Sequence, residues 1–175
     1  MTPFLSILDT IRQFLEQGGP VLLVVALVTF VMWVLIFERI WYYKGGLNSL
    51  VARARRRWEK RPERKSWNAH QIRLKLVSEV NESIYTNTAM IAALVTLCPL
   101  LGLMGTVTGM IEVFNVLAVT GGGDAKSMAS GVSRATIPTM AGMVAALSGV
   151  FGTVLVNSMA DRKAALFRDS LTLDH

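Results

Sequence analysis

The chain has 175 residues, 52% of them hydrophobic, with a mean hydropathy of +0.44 and a net charge of +6. This apolar fraction exceeds that of ordinary soluble domains and makes a small membrane protein the first expectation. The charge does not indicate an RNA or DNA partner, because 12 of the 18 Lys and Arg residues lie between Arg39 and Lys75, where membrane topology accounts for them.

Residues 3–17 carry apolar side chains at helical spacing and polar side chains on the opposite side. Pro3 suits a first helical position, and Gly18-Gly19-Pro20 ends the pattern. We predict a short amphipathic helix that lies in the membrane interface. A cleaved signal peptide is disfavoured, because the segment lacks a basic start and a small-x-small cleavage site.

The first uncharged run covers residues 20–37 and is long enough for one membrane crossing. It is followed by Glu38 and Arg39 and by the aromatic group Trp41-Tyr42-Tyr43, which is typical of an interfacial belt. Basic residues beside a crossing stay in the cytoplasm. Residues 40–88 are therefore predicted to be cytoplasmic and the amino terminus periplasmic.

Residues 89–115 form the second predicted crossing, and helical periodicity from Asn68 to Thr88 predicts that its helix begins well inside the cytoplasm. This crossing suits helix contacts better than lipid, because small residues and hydroxyls recur along it. Gly102 and Gly109 share one helix face, and Gly105 and Gly109 have the small-xxx-small spacing of close helix pairs.

The third predicted crossing covers residues 128–160, after a glycine-rich turn on the outer side, and Ser127 is its predicted N-cap. Gly142 and Gly149 recur there with other small residues and predict a second close-packing surface. Residues 161–175 begin with Asp161-Arg162-Lys163 and are predicted to be a cytoplasmic tail.

These elements predict an all-α integral membrane protein that forms a single membrane domain over residues 1–175. It has three transmembrane helices, a short amphipathic N-terminal helix and long helices that extend into the cytoplasm. The single cysteine, Cys98, lies in an apolar run and is expected to be a small buried hydrophobe.

No catalytic constellation or metal site is predicted. His70 and His175 lie far apart in the sequence, and neither has a neighbouring Cys or His. We therefore expect no enzyme activity, no cofactor and no metal.

Polar groups inside the crossings are the remaining candidates for functional residues. Thr106 and Thr139 are expected at neighbouring depths, where each either lines a wet path or bonds a backbone carbonyl within or between helices. Arg134 must reach the membrane surface, a carboxylate or water. Residues 20–37, 89–111 and 137–160 contain no Asp, Glu or His, so a proton pathway would need a carboxylate from another chain.

Two motifs carry a resemblance to a known family. Residues 99–111, PLLGLMGTVTGMI, resemble the signature PLLGLLGTVxG of the ExbB/TolQ/MotA proton-driven motor subunits. Residues 139–146, TMAGMVAA, are similar to TAIGLVAA of the ExbB branch, and the short three-crossing plan looks more like ExbB than MotA. The resemblance implies a homopentamer around a dimer of an ExbD-like single-crossing partner, whose membrane aspartate carries the proton.

The resemblance also implies roles for single residues. Thr106 and Thr139 match pore-lining threonines. Arg134 occupies the position of a glutamate in the pattern G-x-x-E-A-x-x-x-T-x-x-G, and we expect it at the lumen or in contact with the partner. The alternative for Arg134 is an anchor to phospholipid headgroups on the outside of the ring.

The expected function is that of an inner-membrane stator subunit that converts proton flow into work on a TonB-like protein for outer-membrane import, with iron-siderophore type cargo. TolQ-like service in envelope maintenance is an alternative within the family. A passive membrane scaffold is an alternative from another class.

Overall fold

The computed structural model describes residues 3–60, 66–121 and 125–171. Within these ranges the chain forms five α-helices and no strand. In chain order they are α1 (Pro3–Lys44), α2 (Gly46–Glu59), α3 (Trp67–Tyr85), α4 (Thr88–Thr120) and α5 (Ala125–Ser170).

Helix α1 is kinked at Gly19, whose φ of 67° and ψ of −167° are not helical. Glycine adopts this left-handed region without the steric cost of a Cβ atom, and the following Pro20 lacks the N–H that would continue the helix. The predicted break at Gly18-Gly19-Pro20 is confirmed as this kink. The placement of residues 3–17 in the membrane interface stays a prediction.

Two predicted helix boundaries are wrong. The helix expected to run from the cytoplasm into the second crossing is divided between α3 and α4 at Thr86 and Asn87, because Asn87 has a φ of 62°, a conformation that asparagine tolerates better than most residues. Helix α5 begins at Ala125, so Ser127 lies in its first turn and is not its N-cap. Alanine and lysine at the two preceding positions are good helix formers, which accounts for the earlier start.

Three segments are long and apolar enough to cross a membrane: Gly18–Lys44, Trp67–Val119, which includes the break at Thr86 and Asn87, and Met128–Ser170. Pro99 and Pro138 lie inside α4 and α5 without ending them. The predicted fold class, an all-α membrane protein with three spanning helices, is confirmed. The membrane boundaries and the sides on which the termini lie stay predictions.

The chain divides into two compact units. The first unit comprises Met1–Met32 and Ala93–Val150. Its core contains the buried residues Val25, Cys98 and Ala145, with Val28, Leu101 and Ala146 packed against them. Cys98 is fully buried, which confirms the prediction that it is a small buried hydrophobe.

The second unit comprises Trp33–Ala92 and Phe151–His175. Its core includes large side chains, namely Tyr43, Leu47, Trp58, Ile84, Phe167 and Leu171, together with the alanines Ala54, Ala69, Ala160 and Ala164. Helix α2 packs on α3 and buries Leu47, Ala54 and Trp58. The basic residues Arg53 and Arg55 to Arg57 are exposed, as expected for the polar face of an amphipathic helix.

Candidate functional site

In the first unit α4 and α5 contact each other backbone to backbone. A Cβ atom added to Gly102 would lie 2.9 Å from both the Pro138 carbonyl oxygen and the Thr139 Cα, and one added to Gly142 would lie 2.5 Å from the Cys98 carbonyl oxygen. Real Cβ atoms do not tolerate such distances to backbone atoms. Glycine is therefore required at both positions for this close approach.

The other predicted packing glycines also lie at helix contacts within one subunit. Gly105 faces Pro138, and Gly109 faces Ala135 with its added Cβ 2.7 Å from the alanine Cβ. An added Cβ at Gly149 would meet the thioether of Met32 at 2.5 Å. All five predicted glycines thus pack against residues of their own subunit. Contacts between the subunits of a ring would therefore use other surfaces.

The two threonines lie within one helical turn of each other at this contact. The Thr139 hydroxyl donates to the Gly102 carbonyl at 3.0 Å, and Gly102 is one turn before Thr106 in α4. The Thr106 hydroxyl donates to the Leu103 carbonyl at 2.7 Å. Each hydroxyl oxygen retains lone pairs that can accept a further hydrogen bond, for example from water.

Both threonines lie on the side of their helix that faces away from α1. Leu101 and Ala145 belong to the core that packs on Val25 of α1. Thr106 is five residues from Leu101 and Thr139 is six residues from Ala145, which places them about 140° and 120° around their helices from those contacts. The two hydroxyls therefore lie on one common flank of the α4–α5 pair.

The structure does not bring Arg134 to the threonines. Arg134 is exposed and lies five residues before Thr139, about 140° around α5. Its placement at the lumen or at a partner stays a prediction. Among the described residues there is also no group of three or more His, Cys, Asp or Glu side chains that could hold a metal ion.

A buried polar group in the second unit was missed by the sequence analysis. Arg39 was interpreted only as a cation flanking the first crossing, yet it is 5% exposed. Its Nη1 donates to the Ser83 carbonyl at 3.4 Å, its Nη2 lies 3.7 Å from Glu38, and its guanidinium lies 5.3 Å from the centre of the Tyr42 ring. Its Nε has no hydrogen-bond partner among the residues that the structure describes.

The periodicity of α1 could have located Arg39 correctly. Met32, Ile36 and Tyr43 are buried, and Arg39 falls between them at helical spacing on the same face. The aromatic belt is also only partly as predicted, since Trp41 is 81% exposed whereas Tyr43 is buried. Successive helical residues point in different directions, so three consecutive aromatic residues cannot all remain exposed when one side of the helix packs on protein.

Polar side chains link the helices of the second unit. The Tyr43 hydroxyl donates to the Ile84 carbonyl at 2.8 Å, and the Tyr85 hydroxyl donates to Asp161 at 2.6 Å. Arg73 donates to the carbonyls of Leu171 at 2.9 Å and Arg168 at 3.1 Å. Both bonds from Arg73 reach the carboxyl end of α5, where the Arg168 carbonyl also accepts from the Leu171 N–H at 3.3 Å.

A comparison with protein families identifies the architecture. Residues 45–169 match the model of the MotA/TolQ/ExbB proton channel family. The chain belongs to this family. The resemblance read from residues 99–111 and 139–146 is thereby confirmed, as is the expectation of a multi-pass inner-membrane protein.

Curated relatives match parts of the chain. It is 48% identical over 61 residues to the ExbB-like 1 biopolymer transport protein of Synechocystis sp., covering 33% of this chain and 24% of that protein. It is 42% identical over 74 residues to biopolymer transport protein exbB1 of Vibrio cholerae, covering 42% of this chain and 32% of that protein. The matched regions thus span about a quarter to a third of the length of these relatives.

Proposed function

We propose that this chain is the ExbB-like subunit of an inner-membrane motor driven by the proton-motive force, which energises a TonB-like protein for outer-membrane import of iron-siderophore type cargo. The observation that carries the proposal is the hydroxyl pair of Thr106 and Thr139 on one flank of the α4–α5 contact, within one turn of each other. The oxygens of these hydroxyls can accept hydrogen bonds from water along a path through the membrane.

The proton carrier belongs to a second protein in this proposal. Residues 20–37, 89–111 and 137–160 hold no Asp, Glu or His, and hydroxyls do not exchange protons readily near neutral pH. A carboxylate must therefore come from a partner, for which an ExbD-like dimer of single-crossing chains with a membrane aspartate is suited. The threonine flank would face this dimer.

A homopentamer would create the enclosure for such a dimer. The glycines are already engaged within the subunit, whereas large apolar side chains on α4 and α5 remain exposed, including Leu100 at 62% and Phe151 at 72%. These surfaces are available to neighbouring copies and to membrane lipids. In the proposed topology the amino terminus is periplasmic and the carboxyl terminus cytoplasmic, because the basic segment after α1 would stay inside.

Proton flux in liposomes tests the motor proposal. The chain would be reconstituted alone and with a co-purified single-crossing partner, and a pH gradient would be followed with an enclosed dye. We expect flux only with the partner, and loss of flux when the partner's membrane aspartate is replaced by asparagine. A chain that supports no flux under either condition would be a passive scaffold.

Cell physiology separates the TonB-linked role from a TolQ-like role. Deletion of the gene should abolish growth on iron bound to a siderophore while leaving division and envelope integrity intact. A constriction or envelope-leakage defect with normal iron uptake would instead identify TolQ-like service. Native mass spectrometry in detergent should give a predominant pentamer, and a predominant monomer would contradict the ring.

A further inference from the structure

Two opposite charges lie near the outer ends of α4 and α5, and the proposed proton path uses neither of them. Glu112 and Arg134 are both exposed, and both belong to the first unit. Among the described residues neither forms an ion pair or a hydrogen bond with its side chain. A carboxylate and a guanidinium at the rim of a membrane each need a counter-charge or water.

The two residues lie at nearly the same level of the α4–α5 pair. An added Cβ at Gly109 would lie 2.7 Å from the Ala135 Cβ, and one added at Gly131 would lie 2.5 Å from a Val113 methyl. Glu112 is three residues beyond Gly109 and Arg134 is one residue beyond Ala135, both toward the same end of the helix pair. At a rise of about 1.5 Å per residue their levels differ by about 3 Å.

They also lie on the same flank of the helix pair. Glu112 is seven residues after Gly105, whose added Cβ would lie 3.2 Å from Val21 of α1, and seven residues are two helical turns. Arg134 is eleven residues, or three turns, before Ala145, which packs on Val25 of α1. Glu112 and Arg134 therefore lie on the same helix faces as the residues of α4 and α5 that contact α1. These faces are opposite the flank that carries Thr106 and Thr139.

We propose that Glu112 and Arg134 of one subunit form an ion pair that bridges the outer ends of α4 and α5 on the flank facing α1. Rotation of the two side chains suffices to close the pair, because the backbones approach closely at Gly109 and Ala135. Glu112 is then a positioning residue that holds the Arg134 guanidinium away from the threonine flank. The pair leaves the proton path free of a positive charge repeated in every subunit. The ion pair itself is inferred from the fold alone, whereas its effect on the proton path rests on the proposed function.

A double-mutant cycle in lipid nanodiscs tests the pair, with the apparent melting temperature as readout. Glu112→Gln and Arg134→Gln should each lower it by about 3 °C, the size expected for one partly exposed pair in a chain of this length. The double variant should lose no more than either single variant. The swap Glu112→Arg with Arg134→Glu should restore most of the loss.

Lys126 provides the matched control, because it is another exposed cation at the outer end of α5 and lies two turns from Arg134. Lys126→Gln and Glu112→Gln should be additive. Arg134→Lys, which keeps the charge, should retain part of the coupling to Glu112 and serves if the charge swap does not fold. Three results would contradict the ion pair. The losses of melting temperature for Glu112→Gln and Arg134→Gln could be additive, or neither single variant could lower it. The charge swap could also lower it by the sum of the two single losses.

Discussion

In the first unit, α4 and α5 meet through glycine backbones, whereas in the second unit the helices meet through large side chains and long-range hydrogen bonds. Gly102 and Gly142 allow the backbones of α4 and α5 to approach each other. In the second unit Tyr43, Trp58 and Leu171 are almost completely buried. The two regions thus differ in the size of the residues at these particular helix contacts.

The difference follows the solvent expected around each region. Lipid tails are as apolar as leucine, so helices inside a membrane gain little from burying large apolar side chains and associate through close packing instead. In water, burial of large apolar side chains is the main source of stability. Tyrosine hydroxyls and arginine guanidinium groups add specific hydrogen bonds between helices. Most of the first unit lies in the predicted crossings, whereas the second unit contains the predicted cytoplasmic residues 40–88 and only the ends of the three crossings.

We expect the largest difference in stability between alanine substitutions at two glycines of α5. Gly142→Ala places a Cβ against the Cys98 backbone carbonyl, whereas Gly152→Ala meets the terminal methyl of Ile36, which can rotate away. We expect a loss of about 2–3 kcal/mol for Gly142→Ala and less than about 1 kcal/mol for Gly152→Ala, measured by thermal unfolding of the purified protein. Equal losses would remove the contrast between backbone packing and side-chain packing.

We expect a smaller loss of stability when the contact between Arg73 and the end of α5 is removed. Arg73→Ala removes the donors to the Leu171 and Arg168 carbonyls, and we expect a loss of about 1.5 kcal/mol together with faster hydrogen exchange in the last turn. Arg73→Lys should recover part of the loss, because one ammonium can reach one carbonyl. Arg53→Ala is the control, since the Arg53 Nε donates only within its own helix. Unchanged exchange in the Arg73→Ala protein would show that Arg73 does not cap α5.

We expect the smallest difference in stability between the removal of two tyrosine hydroxyls in the second unit. Tyr43→Phe removes a buried donor to the Ile84 carbonyl, and we expect it to cost about 1 kcal/mol. Tyr85→Phe removes an exposed bond to Asp161, for which we expect less than about 0.5 kcal/mol. Chemical unfolding of the two variants side by side provides the measurement, and a reversed order would contradict the assigned burial of Tyr43.

Much of the fold was predictable because it depends on local signals. Apolar run length predicted the three spanning helices, and Gly18-Gly19-Pro20 predicted the kink in α1. The break at Asn87 was not predictable from periodicity, because the apolar pattern continues across it and a single left-handed residue interrupts the helix. The start of α5 was misplaced because Ala125 and Lys126 are good helix formers and the helix extends over them, past the N-cap candidate Ser127.

For the candidate site, spacing predicted that Thr106 and Thr139 lie near each other but not all of their surroundings, and their pore-lining role stays a prediction. Thr106 and Thr139 were expected at neighbouring depths, and the hydrogen bond from Thr139 to Gly102 places them within a turn. The burial of Arg39 was missed, because the charge was assigned to topology without regard to its helix face. The partners of Arg134 depend on side chains from other helices, which no local pattern in α5 specifies.

The most direct test of the proton path measures flux through liposomes that contain the chain and its single-crossing partner, with three threonine variants. Thr106→Val and Thr139→Val remove a hydroxyl while nearly preserving shape, and we predict that each lowers flux by about tenfold or more, with the oligomer intact by native mass spectrometry. Thr139→Ser, which keeps the hydroxyl, should retain most of the flux.

Thr108 is the control, because it is exposed, bonds only to carbonyls of its own helix, and lies about 160° around α4 from Thr106. Thr108→Val should leave proton flux unchanged. If Thr106→Val and Thr139→Val conduct as well as the parent chain, or if Thr108→Val loses flux to the same extent, the shared hydroxyl flank is not the proton path.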